Sequence, residues 1–149
     1  MRTVDAEALL DAEDAKWRDL SATIERFTGE QMEQPGVTPD GWSVKGVMFH
    51  IAAWAADCGV QLERIRTGTF TRPDEDVERQ NREWFELSRT MELHLVRAEL
   101  AAARTRMVLE FGTLPELTAD AVEWFEESGA LHYEAHLVDL RPWAAAMGA

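Results

Sequence analysis

The sequence predicts an all-α fold, an antiparallel four-helix bundle, on three observations. Chain breakers are few and gather in three places: GEQMEQPGVTPDG at 29–41, TGTFTRPD at 67–74 and FGTLPELTAD at 111–120. Between them run long stretches of Ala, Leu, Glu, Arg and Met, which are good helix formers. No alternating strand pattern bounded by turns is present, and no repeat of fixed period.

Each element follows from its apolar spacing. Helix one is predicted from Asp5 to Phe27, with Leu9, Leu10, Trp17, Leu20, Ile24 and Phe27 recurring at helical intervals. Helix two starts near Ser43, an N-cap residue, and shows Val44, Val47, Met48, Ile51, Trp54, Ala55 and Leu62 on one face; Gly68 lies just past its end. Helix three is predicted from Glu75 to Phe111, a length of about 50 Å at ~1.5 Å per residue that invites a kink or break. Helix four begins near Thr118 and carries Val122, Phe125, Leu131, Leu137 and Leu140, with Pro142 expected to end or bend it. Charged runs such as DEDVERQNRE read as solvated faces. The length of 149 residues suits one domain, 1–149, around a single core.

Composition narrows the function classes. Acidic residues number 28 against 15 basic, for a net charge of −13. That balance is expected to exclude nucleic acid as a partner, since a polyphosphate calls for a concentrated basic surface. It also disfavours an anionic membrane surface. The most apolar stretch, VKGVMFHIAAWAADCGV, is interrupted by Lys45, His50 and Asp57 and is too polar to span a bilayer. The opening MRTVDAEALLDAEDA lacks the basic start and apolar run of a secretory leader. The lone cysteine, Cys58, has no internal disulfide partner, which points to a reducing, cytoplasmic setting. Only two lysines among the basic residues, and abundant alanine, suggest a GC-rich bacterial coding sequence.

The chemistry concentrates in four histidines. His132 and His136, in HYEAH, stand four apart and project from one helical face. Two neutral imidazoles at that spacing suit one transition metal. The zinc-protease motif is absent, because Tyr133 stands where its glutamate belongs. His50 is the third candidate: it lies on the inner stripe of helix two, with Val47 and Trp54 three before and four after. Both helices would bring these rings to middle depth. A polar ring on an apolar face needs a partner, so the set is either a metal centre or three hydrogen-bonded core residues. His94 has solvated neighbours and is left out.

Around these rings, Asp57 and Asp139 fall near the faces of His50 and His136 and could orient an imidazole, though ordinary surface carboxylates look the same in sequence. Arg141 could hold a carboxylate or simply end a helix. Trp42 and Trp54 would line a pocket or pack the core. Cys58 sits in an Ala-rich helix with no cation nearby in sequence and reads as buried and inert.

GWSVKGVMFHIAAW, taken with LHYEAHLVDLRPW, resembles the DinB-like superfamily, which includes the DinB/YfiT-like proteins and the N-terminal domain of mycothiol-dependent maleylpyruvate isomerases. Trp42, Ser43, His50, His132 and His136 match its pattern in order, and the match spans nearly the whole chain. The resemblance implies a four-helix bundle and a divalent metal (Zn, Ni, Mn or Fe) held by His50, His132 and His136. It also implies a low-molecular-weight thiol such as mycothiol or bacillithiol, a small-molecule substrate and a homodimer. The expected function is thus a metal-dependent thiol S-transferase or related detoxification enzyme, in which a metal-held thiolate attacks a small electrophile. The alternative is a non-catalytic small-molecule binding or stress-response protein on the same bundle.

Overall fold

The computed structural model describes residues 5–149, and all the regular structure in them is helical. Seven helices follow one another: α1 (Ala6–Ile24), α2 (Gly29–Met32), α3 (Val44–Thr67), α4 (Val77–Thr90), α5 (Leu93–Gly112), α6 (Ala119–Ser128) and α7 (Ala130–Ala146). The leader reading falls partly on residues 1–4, outside the described residues. None of the described helices is long and apolar enough to cross a membrane.

Local chemistry sets the starts. The side chains of Asp5, Thr28, Ser43, Asp76 and Thr118 each accept from a backbone N–H in the first turn of the helix that follows. Thr28 and Gln31 form a reciprocal capping box. Ser43 Oγ accepts from Gly46 N at 3.0 Å, which fixes the start of α3 within two turns of His50.

Cross-helix partners give the topology. Arg104 of α5 meets Glu13 of α1, and Arg97 meets Glu25, so α1 and α5 run in opposite directions. Lys16 pairs with Glu134, and the Arg26 guanidinium donates to the Ala149 carbonyl, so α1 and α7 run the same way. Lys45 reaches Met91, Arg106 reaches Glu63 and Arg66 reaches Glu110, so α3 and α5 also run together. The four long helices therefore run up, down, down, up. Each like-directed pair opposes the other, and α4 carries the chain back between α3 and α5. The core holds Leu20, Met48, Ile51, Leu62, Met107 and Leu137, all at most 2% exposed.

Two predicted helices are each two. The span predicted from Glu75 to Phe111 breaks where Met91 and Glu92 are extended. The Met91 carbonyl, released from the helix ladder, accepts from the Lys45 ammonium at 2.9 Å. That ammonium is itself buried and paired with Glu33 at 2.8 Å, a long-range compensation invisible in local periodicity. The span beginning at Thr118 breaks at Gly129. A Cβ there would lie 2.7 Å from the Phe125 carbonyl oxygen, so only glycine permits the chain to turn and restart. Pro142 does not end the last helix but sits inside α7.

One buried ion pair ties three helices. Glu13 is 1% exposed. Its carboxylate accepts two hydrogen bonds from Arg104, at 2.8 and 2.7 Å, and a third from the Tyr133 hydroxyl at 3.2 Å. Arg104 also lies over the Trp17 ring, 5.2 Å from its centroid. Removing one member leaves a charge in the core without its counterion, at a cost of about 3–5 kcal/mol. Arg104→Met is expected to lower stability by about 3 kcal/mol in urea titrations, since the guanidinium is partly exposed. A loss below about 1 kcal/mol would show that the pair is dispensable.

Candidate metal centre and its cleft

The second turn of α3 and the first two turns of α7 meet, and three imidazoles face one another there. His50 is 9% exposed and has Trp42 set edge-on against its ring, centroids 5.3 Å apart. Trp42 is itself held by Asp40, through Nε1 to Oδ2 at 3.0 Å, and by packing on Phe85. The Gly129 break starts α7 so that Tyr133 turns to Glu13 while His132 and His136 turn to α3. His132 Nε2 lies 3.1 Å from His50 Nε2 and 2.9 Å from His136 Nε2. All three ligating nitrogens lie within 4.8 Å of one another.

Protons alone do not satisfy this cluster. A neutral imidazole Nε2 carries one proton or one lone pair. If His132 Nε2 is protonated, it donates to one neighbour and cannot accept from the other. If it is not, its single lone pair receives one well-aligned N–H and no more. Three inward lone pairs instead suit one cation. Tetrahedral bonds of ~2.1 Å place ligand nitrogens roughly 3.4 Å apart, a few tenths of an ångström from the spacing here. The donor set fits a divalent transition metal.

Electrostatics favour the ligand form. Burial, reinforced by the nearby His136, holds His50 down to about 4. Burial with the charges of His136 and His50 holds His132 down to about 2. Burial also lowers His136, partly opposed by the charge of Asp139. All three are neutral near pH 7, as metal ligation requires.

The surrounding candidates fare differently. Neither buried Nδ1, of His50 or His132, has a hydrogen-bond partner in the structure. Asp57 reaches neither ring and instead accepts from Gln61 Nε2 at 3.4 Å. Asp139 is exposed and acts on His136 through charge alone. Arg141 is spread between Asp19 and Glu134, at 4.0 and 3.9 Å, on the outer face of α7. Trp42 packs on His50, while Trp54 bonds Asn81 Oδ1 through its indole N–H at 3.0 Å and stands edge-on to Trp84. His94 is exposed beside Glu92. Cys58 is fully buried; burial pushes its thiol up to about 12, and Sγ donates to the Trp124 carbonyl.

A cleft of about 480 Å³ reaches the imidazoles, and His50, His132, Trp54, Trp124, Glu75 and Glu127 are among the residues that line it. Arg72 also lines it, bonded to Asp120 at 2.8 Å and to Glu123 at 3.0 Å. Trp124 and Glu75, which line the cleft, escaped the sequence reading. Glu75 lies at the edge of a charge run that looks like plain solvated surface.

No family model matches the chain, and no curated protein matches it in sequence. Two solved structures share its fold. One is the colibactin self-resistance protein ClbS in complex with dsDNA, with a TM-score of 0.80 and 14% identity over 96% of this chain and 97% of that chain. The other is an uncharacterised protein from Escherichia coli UTI89, with a TM-score of 0.80 and 14% identity over 96% and 94%. The all-α bundle read from the sequence is the fold found. Two functional expectations are corrected. The thiol-transferase expectation came from resemblance alone, and the neighbour with a stated role on this fold is a self-resistance protein, not a thiol transferase. The exclusion of nucleic acid is withdrawn as well, because this fold occurs in a complex with duplex DNA. Net charge sums the whole surface, whereas docking depends on one patch of it.

The lowered imidazoles fix a sign for pH dependence. In metal-free protein the folded state binds fewer protons than the unfolded chain once pH falls below the ordinary imidazole value of 6.5. Their contribution is present above that value and is lost as pH falls through it toward 4. Urea midpoints of metal-free protein are expected to drop between about pH 7 and pH 5, and His132→Gln should flatten the drop. An unchanged slope in that variant would contradict the assignment.

Proposed function

We propose that the chain is a DinB-like metalloprotein of the protective, self-resistance kind that ClbS exemplifies, formed as one domain and working in the cytoplasm. His50, His132 and His136 hold one divalent transition metal, and the adjoining cleft receives a small organic ligand. The observation that supports this reading is the meeting of three Nε2 atoms that no arrangement of protons satisfies together. The near-complete overlap with ClbS supports the class, and the single buried cysteine supports the compartment.

A divalent metal there supplies Lewis acidity and brings the ionisation of water close to neutrality. The chain supplies the rest. Burial keeps the imidazoles unprotonated, and the cap at Ser43 and the break at Gly129 set the helices that carry them. Trp42 closes one side of His50 against water, and Trp54 forms an apolar wall of the cleft.

Tag-free protein should carry about one equivalent of Zn, Ni, Mn or Fe by mass spectrometry, and His50→Ala and His132→Ala should each lose most of it, since a lost ligand typically costs more than the ~10–100-fold of an outer-shell change. Wild-type protein that takes up no metal after incubation with Zn²⁺ and Ni²⁺ would return the histidines to the core.

A second reading is favoured by the dsDNA in the ClbS structure: the chain docks on duplex DNA. With a net charge of −13, docking would be through a local patch and weak. A labelled duplex should then show binding near 10⁻⁴ M at low salt that fades as salt rises. No change in anisotropy at about 25 mM salt would remove this reading.

A further inference from the structure

The chain from Gly68 to Thr90 is held differently from the rest of the bundle. Ser88 is its one buried residue, whereas α3, α5 and α7 each bury several. Residues 70–75 make no backbone–backbone hydrogen bond with the described residues. Both ends are fixed. Gly68 closes α3 in the left-handed region, at φ 76°. At the other end the buried Lys45 ammonium grips the Met91 carbonyl at 2.9 Å, where the backbone is extended.

Between these ends the ties to the bundle lie at the surface. Asn81 Oδ1 accepts from the Trp54 indole N–H, Trp84 stands edge-on to Trp54, and Phe85 packs on Trp42. Arg72 reaches across to α6, donating to Asp120 at 2.8 Å and to Glu123 at 3.0 Å. The ion pairs Arg79–Glu83 and Arg89–Glu86 stay inside the segment. The same segment lines the cleft through Arg72, Glu75 and Asn81, in company with His50 and His132. A stretch that lines a cleft and is itself exposed along most of its length stands between that cleft and solvent. The Arg72–Glu123 pair joins two lining residues from different elements, so it fastens this cover to α6. Both side chains are about half exposed, and such a pair holds weakly and yields to salt. Segments with little buried surface are the first to open locally, and lids over binding sites are drawn from them.

We infer that residues 69–90 are a flap over the cleft, hinged at Gly68 and Met91 and latched by Arg72, and that small molecules reach His50 and His132 when it lifts. This rests on the reading of the cleft as the ligand site and not on the metal.

Diethyl pyrocarbonate, which acylates neutral imidazoles, tests it on EDTA-stripped protein, with the rate at each histidine read by mass spectrometry. The exposed His94 is the internal control. In the double variant Arg72→Cys, Glu123→Cys, a bismaleimide with a disulfide in its spacer ties the flap to α6. Tying should slow His50 and His132 about tenfold or more and leave His94 unchanged. Cutting the spacer with a reductant leaves the same bulk in place and should restore both rates. In the wild type, raising salt from about 25 to about 250 mM should speed His50 and His132 roughly twofold, and Arg72→Ala should lose that response. Equal rates in tied and untied protein, no recovery on cutting, no reaction of His50 or His132 in untied protein, or an unaltered salt response in Arg72→Ala would each overturn the proposal. Because the protein is metal-stripped, its metal stoichiometry before treatment is read separately.

Discussion

The buried pair of Glu13 and Arg104 is the constraint on which the rest of the structure hangs. It joins α1 to α5, and through the Tyr133 hydroxyl it also holds α7. Tyr133 is the neighbour of His132 in sequence, so its hydroxyl anchors α7 roughly 100° round the helix from that ring. Rotating α7 to bring Tyr133 away from Glu13 would swing both α7 histidines away from α3. A buried ion pair is a poor source of net stability, because desolvation consumes much of the attraction. Its effect here is to allow one rotation of α7 and to penalise the others by leaving a carboxylate in the core without partners.

That rotation decides what kind of centre results. An imidazole turned to a carboxylate becomes charged and basic; these three are turned to one another and to an apolar wall, and burial keeps them neutral. The outer nitrogens of His50 and His132 lack the carboxylate or carbonyl that commonly orients a metal-bound ring. Orientation comes from packing instead, through the edge of Trp42 on His50 and the helix positions themselves. The acidic groups expected to serve the rings are spent elsewhere: Asp57 faces Gln61, and Asp139 faces solvent.

Much of the helical content was legible because it depends on neighbours close in sequence. The periodic apolar residues of α1 and α3, and the Ser43 and Thr118 caps, are local features. The histidine pair was legible for the same reason, since positions four apart share a helix face whatever the fold. What escaped were features settled by distant residues. The break at Met91 depends on Lys45, which lies far back in the chain and bonds the freed carbonyl. Glu13 reads as one more acidic residue of a solvated helix until Arg104 is placed against it. Pro142 was expected to end or bend the last helix, yet α7 runs on through it to Ala146, and the next residue, Trp143, lies so close to Gly36 that a side chain there would meet the indole. The direction of the helices depends on α4 as a crossover, which periodicity does not reveal. Function was the least legible, since resemblance supplied a reaction that residues alone did not.

His50 and His132 are separated by 82 positions along the chain. The entropy lost in closing a loop grows only slowly with its length, so this separation costs little more than a short one. It does mean that the centre has no local precursor. No single hairpin of the bundle contains all three rings, and a partly assembled chain holding α1 to α5 would present one histidine and nothing for it to face. The centre therefore exists only while α7 is docked on α3, and any opening that lifts α7 dismantles it. Any ligand held by all three rings would act as a clasp across the whole chain, and its occupancy would report on the integrity of the entire bundle.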